Sequence, residues 1–511
     1  MITRSACKGL ITLLGGLLSL AACAPQGADV SDPRLVLLYA TCTLNRDYLY
    51  PYNEEIPFTP NLQKFAEKSV VFTNHHTESG QSGIAFASIF TGSHADRHGV
   101  YRHPTKLSEP ALVITEAYAE QGYDTFHWSG HAMASNRLGY GRGVGRENVF
   151  GHYLTGDDPV FRDVLRRLKA DPEYKAFILT NFSVTHGPYG GDQLNRFRKL
   201  YPSETGGLTP DEVTKWGAVY RKNYLPLQWN HDETAERLGF QAEELEKIVG
   251  SVELLYKSKV AFLDSLFGAV VGKIAWSGLL DDSLIVFTSD HGEILYRENA
   301  VHKWTHGMQL APEVIQVPLI IRFPSSESQG SRYDEVTRSI DVFPTMLALS
   351  GISTPKREKI DGVDLAVLPA NRRHGALRAF FHTSIMPRKV LEKMRQKSGP
   401  EKYGVLAKNF PSDDVRLTWV GMREGDFAYK LLRTADGEWS MDVFDWTRDP
   451  GETKNLFRSG DRQQEEKLTA LEDYKSLLVA KYGELSTGKE ADRQLPEEEE
   501  AKLLKALGYI D

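Results

Sequence analysis

The apolar run Leu284, Ile285, Val286 and Phe287 stops abruptly at Ser289-Asp290-His291-Gly292-Glu293. A short, unbroken apolar run bounded by turn residues reads as a buried parallel strand. An Asp and a His then stand at the carboxyl end of a strand, the edge where open α/β sheets hold ligands and metals. Asp290 and His291 offer a hard oxygen and a borderline nitrogen to one divalent cation. Gly292 is expected to let the backbone turn away sharply after them. The same residues also fit a helix N-terminus capped by Asp290, so the remaining chain has to decide between the two readings.

Apolar runs alternate with amphipathic stretches elsewhere. Strands are predicted at Leu35–Ala40, Val70–Thr73, Phe177–Phe182, Leu284–Thr288 and Val317–Arg322. Helices are predicted from Thr59 through Lys68, from Ser82 to Phe90, and from Tyr256 to Ile274. This alternation predicts an α/β fold with a doubly wound, mainly parallel sheet. After Leu365 the texture changes. Phe427–Arg433 and Met441–Asp445 read as strands of a small mixed or antiparallel sheet, and a helix follows from Asp461 to Ala480. The expected division is a catalytic-type domain over 34–366 and a smaller C-terminal α+β subdomain over 367–511. The basic stretch Met386–Asp413 is a candidate insertion over the active-site face, and the acidic run Glu497–Glu500 opens a short terminal helix.

At the amino end, Arg4 and Lys8 precede an apolar run from Gly9 to Ala22 that is short for a membrane span. Leu20-Ala21-Ala22-Cys23 resembles a bacterial lipobox. Residues 1–22 then form a lipoprotein signal peptide, Cys23 carries the lipid, and 23–33 is a tether. Ala24 follows the cysteine where an Asp would retain the protein at the inner membrane, so the expected location is the bacterial cell envelope, anchored to the outer membrane and facing the periplasm. The bland alternative is an ordinary cleaved signal with a chance cysteine. With Cys7 and Cys23 accounted for, Cys42 is the only mature thiol, which excludes an internal disulfide. A net charge of −7 gives no sign of a nucleic-acid partner.

Taken in order, the motifs resemble the sulfatases of the alkaline phosphatase superfamily. Thr59-Pro60-Asn61-Leu62, Thr91-Gly92, His98-Gly99-Val100, Gly122-Tyr123 with Thr125, Ser289–Glu293, Val317-Pro318-Leu319-Ile320-Ile321, Asp341 with Pro344-Thr345, Asp361-Gly362-Val363, Asp449-Pro450-Gly451-Glu452 with Asn455-Leu456, and Leu507-Gly508-Tyr509 carry the resemblance. It implies an alkaline phosphatase-like fold and a metal-assisted ester hydrolase.

Counting back from Thr91-Gly92, the family's nucleophile position falls on Ser82. Sulfatases convert a Cys or Ser there to formylglycine in a frame with Pro or Ala two residues on and Arg four residues on. Here those places hold Ile84 and Phe86, so the modification signal is degraded and an unmodified Ser82 is the candidate nucleophile. The competing reading is a Ser that merely caps the helix beginning at Gly83. At the first strand, Cys42-Thr43-Leu44-Asn45-Arg46-Asp47 puts Cys42 where the family has an Asp metal ligand. The resemblance implies calcium or magnesium, whereas a thiolate beside Asp290 and His291 suits zinc. A neutral buried thiol is the alternative.

For the substrate anion, the resemblance implies His186, in Thr-His-Gly-Pro-Tyr, and His306, in Thr-His-Gly. His131 and Lys303 are further substrate-binding candidates, with His131 near the place of the family's missing Lys. A His pair can hold an oxyanion and protonate a leaving group. The expected substrate is an anionic sulfate or phosphate ester on a glycan or lipid head group, with specificity from loops near 135–155, 190–250 and 386–413. The alternative function is an inactive lipoprotein of the same fold that binds an anionic glycan or envelope component.

Overall fold

The computed structural model describes residues 32–486 apart from 102–104, 150–152, 230, 299, 301, 308, 325–329, 354–358, 368–376, 386–415 and 434–438. The signal, Cys23, most of the tether, the 386–413 insertion and the terminal helix lie outside the described residues.

Strands β1 (Leu35–Thr41), β2 (Val70–Phe72), β3 (His75–His76), β4 (Asp124–Ser129), β5 (Arg146–Val149), β6 (Ala176–Phe182), β7 (Ser283–Ser289), β8 (Leu319–Arg322), β9 (Ser331–Tyr333) and β10 (Thr337–Arg338) belong to the larger part. Eight of them make one sheet in the order β5-β4-β6-β1-β7-β8-β2-β9. The β5-β4-β6-β1-β7 stretch is parallel throughout, and β8 runs antiparallel to both β7 and β2. Residues of β1, β6 and β7 are buried along their whole length, as expected of strands covered on both faces.

Register is what places the site. Thr41 pairs with both Phe182 and Ser289, so the three central strands end level. Cys42, Ser183 and Asp290 therefore leave the sheet at one edge. On one face, the 35-residue helix Ala242–Trp276 packs its Phe267 against Tyr39 of β1 and Phe287 of β7, with ring centroids 5.1 and 4.9 Å apart. This helix begins well before the expected Tyr256. The Gln241 amide donates to the Glu244 carboxylate at 3.1 Å, which starts the helix in a charged stretch.

The second sheet is antiparallel, β11 (Ala379–Ile385), β12 (Arg416–Glu424), β13 (Phe427–Arg433) and β14 (Trp439–Asp445). The helix Arg462–Ser486 covers it, and its Leu468, Leu471 and Leu478 share a core with Val420, Met422, Leu431 and Val443. Ala95 and Tyr101 of the larger part enter that same core. The 190–250 region, expected to be loop, is largely helical, at Leu194–Leu200, Pro210–Lys222, Tyr224–Trp229 and His231–Arg237. Among the described residues no helix is long and apolar enough to cross a membrane.

Candidate active site

Cys42, Asp290 and His291 meet at the carboxyl edge of β1 and β7, each fully buried, with one ligand atom from each lying within 4.8 Å of the others. No helix follows Asp290, so the capping reading falls. The Asp290 Oδ1 atom accepts the Thr43 and His291 amides at 3.1 and 2.6 Å. Among the described residues its Oδ2 has no hydrogen-bond partner, and it lies 3.3 Å from His291 Nε2. A buried carboxylate oxygen left open beside an imidazole nitrogen and a thiol fits a cation. His291 Nδ1 faces the Gly292 carbonyl at 2.9 Å, which assigns the proton to Nδ1 and the lone pair to Nε2.

The turn that follows Cys42 is strained. Thr43 sits at φ +60°, a costly conformation for a β-branched residue. Tyr256 of the long helix holds it there, donating its hydroxyl to the Thr43 carbonyl at 3.1 Å and accepting the Asn45 amide at 2.8 Å.

Gly292 does not have the left-handed conformation that a sharp turn would require. It is needed for close approach: a Cβ there would come 1.9 Å from the Glu313 carbonyl oxygen of the short helix Pro312–Ile315. Gly80, ahead of the nucleophile position, is equally confined, with its would-be Cβ 2.4 Å from the His306 carbonyl oxygen.

Ser82 is the first residue of the helix Ser82–Thr91, and Gln81 occupies the capping position. Its hydroxyl is therefore not spent on the helix end. The Oγ atom lies 3.0 Å from His291 Nε2 and 3.5 Å from Cys42 Sγ. Ile84 and Phe86 are buried core residues, and the Phe86 ring packs 5.9 Å from His131. An apolar ring thus stands where the family's Arg would bring a charge.

Three imidazoles line the other side. His306 stacks on His291 at 4.5 Å between centroids and 22° between planes, and His186 meets His306 edge-on at 5.0 Å. His131 is the next ring, 6.2 Å from His186, with its Nδ1 accepting the Met133 amide at 3.3 Å. Burial pushes His186, His291 and His306 down to about 4. Lys303 is not brought to this cluster. Its ammonium is held by the Glu298 and Ala300 carbonyls at 3.0 and 2.9 Å, above the Tyr296 ring.

One acidic residue of the site had no role in the sequence reading. Glu293, fully buried, faces His306 Nδ1 at 3.3 Å and accepts the Tyr189 hydroxyl at 3.0 Å. Burial pushes its carboxyl up to about 8. An antiparallel bridge between Ile294 and Thr305 brings Glu293 and His306 face to face. Glu293 stood in the motif, but nothing in the sequence marks that pairing.

The sulfatase sequence profile matches residues 36–352. An N-acetylglucosamine-6-O-sulfatase of Bacteroides thetaiotaomicron is 24% identical over 542 residues, covering 89% of this chain and 88% of its own. An ulvan-active sulfatase of Formosa agariphila is 24% identical over 430 residues, covering 78% and 72%. A structure solved in complex with its substrate D-glucosamine-2-N,6-O-disulfate aligns with TM-score 0.63 at 17% identity, over 88% of this chain and 98% of the other. The phosphonate monoester hydrolase of Agrobacterium radiobacter aligns with TM-score 0.60 at 19% identity, over 88% and 96%. The fold is the expected alkaline phosphatase-like sheet with a smaller α+β subdomain, and none of these findings favours a binding protein that has lost its chemistry. With its motifs in order and the profile spanning the whole central sheet, this chain belongs to the sulfatase family.

Proposed function

We propose that this protein is a hydrolase of sulfate or phosphate esters in which the unmodified Ser82 hydroxyl is the nucleophile. The observation that carries the reading is the placement of Ser82 Oγ, 3.0 Å from His291 Nε2, inside the Cys42–Asp290–His291 cluster and at the family's nucleophile position. A divalent cation held by those three residues would lower the pKa of the hydroxyl and stabilise its anion. The thiol suits zinc, whereas the family resemblance suggests calcium or magnesium.

The chain's own groups account for the remaining work. His186 and His131 line the side from which ester oxygens approach, and His306 passes a proton from the raised Glu293 carboxyl at its Nδ1 to the departing alkoxide as the ester bond breaks. Water then attacks the sulfur or phosphorus carried on Ser82, releasing the free anion and restoring the hydroxyl. Burial of the imidazoles excludes water and strengthens each contact to the anion. The substrate is an anionic ester on a glycan, a reading supported by the glycan sulfatases among its relatives. The Leu20–Cys23 motif supports a lipid anchor at Cys23 and an outer-membrane address facing the periplasm. Incorporation of labelled palmitate in the wild type and its loss in Cys23→Ser check the anchor.

The test of the reaction is hydrolysis of 4-nitrophenyl sulfate and 4-nitrophenyl phosphate by wild type and Ser82→Ala. Turnover should fall about 1,000-fold or more in the variant. Equal turnover in the two proteins would remove Ser82 as nucleophile.

A further inference from the structure

The small sheet reaches the reactive cluster through its edge strand. His382 of β11 donates its amide to the Glu78 carbonyl at 2.8 Å. Tyr474, on the helix that covers the small sheet, donates its hydroxyl to the Glu78 carboxylate at 3.1 Å and contacts His382 Nδ1 at 3.0 Å. Glu78 lies four residues ahead of Ser82, so both C-terminal elements grip the loop that delivers the nucleophile.

Thr383 follows His382 and is 1% exposed. Its hydroxyl both donates and accepts across the cleft. It donates to the Gly307 carbonyl and accepts the Gln81 side-chain amide at 3.4 Å. Gln81 immediately precedes Ser82, and Gly307 immediately follows His306. These two loops already run in contact, since a Cβ on Gly307 would lie 3.5 Å from the Gln81 side chain. One buried hydroxyl thus joins the nucleophile loop to the proton-donor loop from a separate sheet.

We propose that Thr383 is a positioning residue: its hydroxyl fixes the separation of Ser82 and His306 by tying Gln81 to Gly307. The inference rests on the roles given above to Ser82 and His306. It assigns the C-terminal subdomain a part in turnover, beyond closing the fold. A displacement of about 1 Å between reacting groups costs up to about 100-fold in rate. Its hydroxyl bonds to Gln81 and Gly307, the residues next to Ser82 and His306, so its effect belongs to turnover more than to substrate binding.

Two substitutions separate the hydroxyl from the packing. Thr383→Val keeps the branched shape and removes the hydroxyl's bonds to Gln81 and Gly307, and Thr383→Ser keeps the hydroxyl and removes the methyl. The full chain is assayed with 4-nitrophenyl sulfate and 4-nitrophenyl phosphate beside Ser82→Ala, with thermal unfolding of every variant. Expected is a kcat lower by about 10- to 100-fold in Thr383→Val, a KM within about twofold of wild type, and recovery of most of kcat in Thr383→Ser. Wild-type kcat in Thr383→Val, with Ser82→Ala inactive, overturns the positioning role and leaves the nucleophile in place. Equal losses in the Val and Ser variants, together with lowered unfolding temperatures, also overturn it, because packing then explains the defect. Wild-type turnover that persists in Ser82→Ala, or no turnover of either ester by wild type, removes the reactive pair itself and the positioning role with it.

Discussion

Strands β1 and β7 are neighbours in register, ending level at Thr41 and Ser289, yet they deliver different chemistry to one site. From β7 come Asp290 and His291, a carboxylate and an imidazole that match the family motif. From β1 comes Cys42, a soft thiol in the position of a carboxylate. The apolar runs of both strands fix where the next residue emerges, and they are indifferent to what that residue is. The fold can therefore hold its site geometry while the donor atoms change. Without a cation, burial and the neighbouring Asp290 raise the Cys42 thiol well above its ordinary value. A neutral thiol and a bound thiolate are then sharply different states of one site.

The β7 side should respond most strongly to substitution. Asp290→Ala removes the open carboxylate oxygen and should lower turnover about 1,000-fold, read with the same two aryl esters. Gly292→Ala drives a methyl group into the Glu313 carbonyl. Its expected cost is about 1–3 kcal/mol in denaturant unfolding, with reduced metal retention. On the β1 side, Cys42→Asp restores a carboxylate. It should keep the protein folded and move its metal preference from zinc toward calcium or magnesium, measured by elemental analysis after dialysis against mixed metals.

The smallest predicted effect lies beyond the far side of Ser82. Glu78 is held well below the ordinary carboxylate range: burial opposes ionisation, and His94 and His98 outweigh it. His94 is raised, since burial lowers it but Glu78 2.9 Å away more than compensates. The stability that His94 adds is fully present below its ordinary value of about 6.5 and is lost as pH rises through its raised value. Unfolding temperature measured between pH 6 and 9 should therefore fall more in wild type than in His94→Asn. Parallel curves would contradict the pairing.

The sequence made the sheet legible because β1, β6 and β7 are continuous apolar runs, and it made the edge that carries the candidate site legible because Asp290 and His291 directly follow one of them. Where side chains met through tertiary pairing, it was silent. Glu293 and His306 are 13 residues apart and meet where Ile294 and Thr305 form an antiparallel bridge. Lys303 looked available to an anion, but its own loop turns the ammonium onto backbone carbonyls. Gly292 was marked as a special residue for the wrong reason: its constraint is a neighbouring helix, which no local pattern records. The start of the Ala242–Trp276 helix was hidden because its first turns are charged and include Gly250.

The most direct test is the metal content of the purified protein by elemental analysis, wild type beside Cys42→Ala. One equivalent of a divalent metal in wild type, lost or strongly reduced in Cys42→Ala, is the expected result and would make the thiol a working ligand. A wild type that holds no metal after incubation with zinc, calcium, magnesium or manganese would contradict a metal-assisted Ser82, and with it the hydrolase reading of this site.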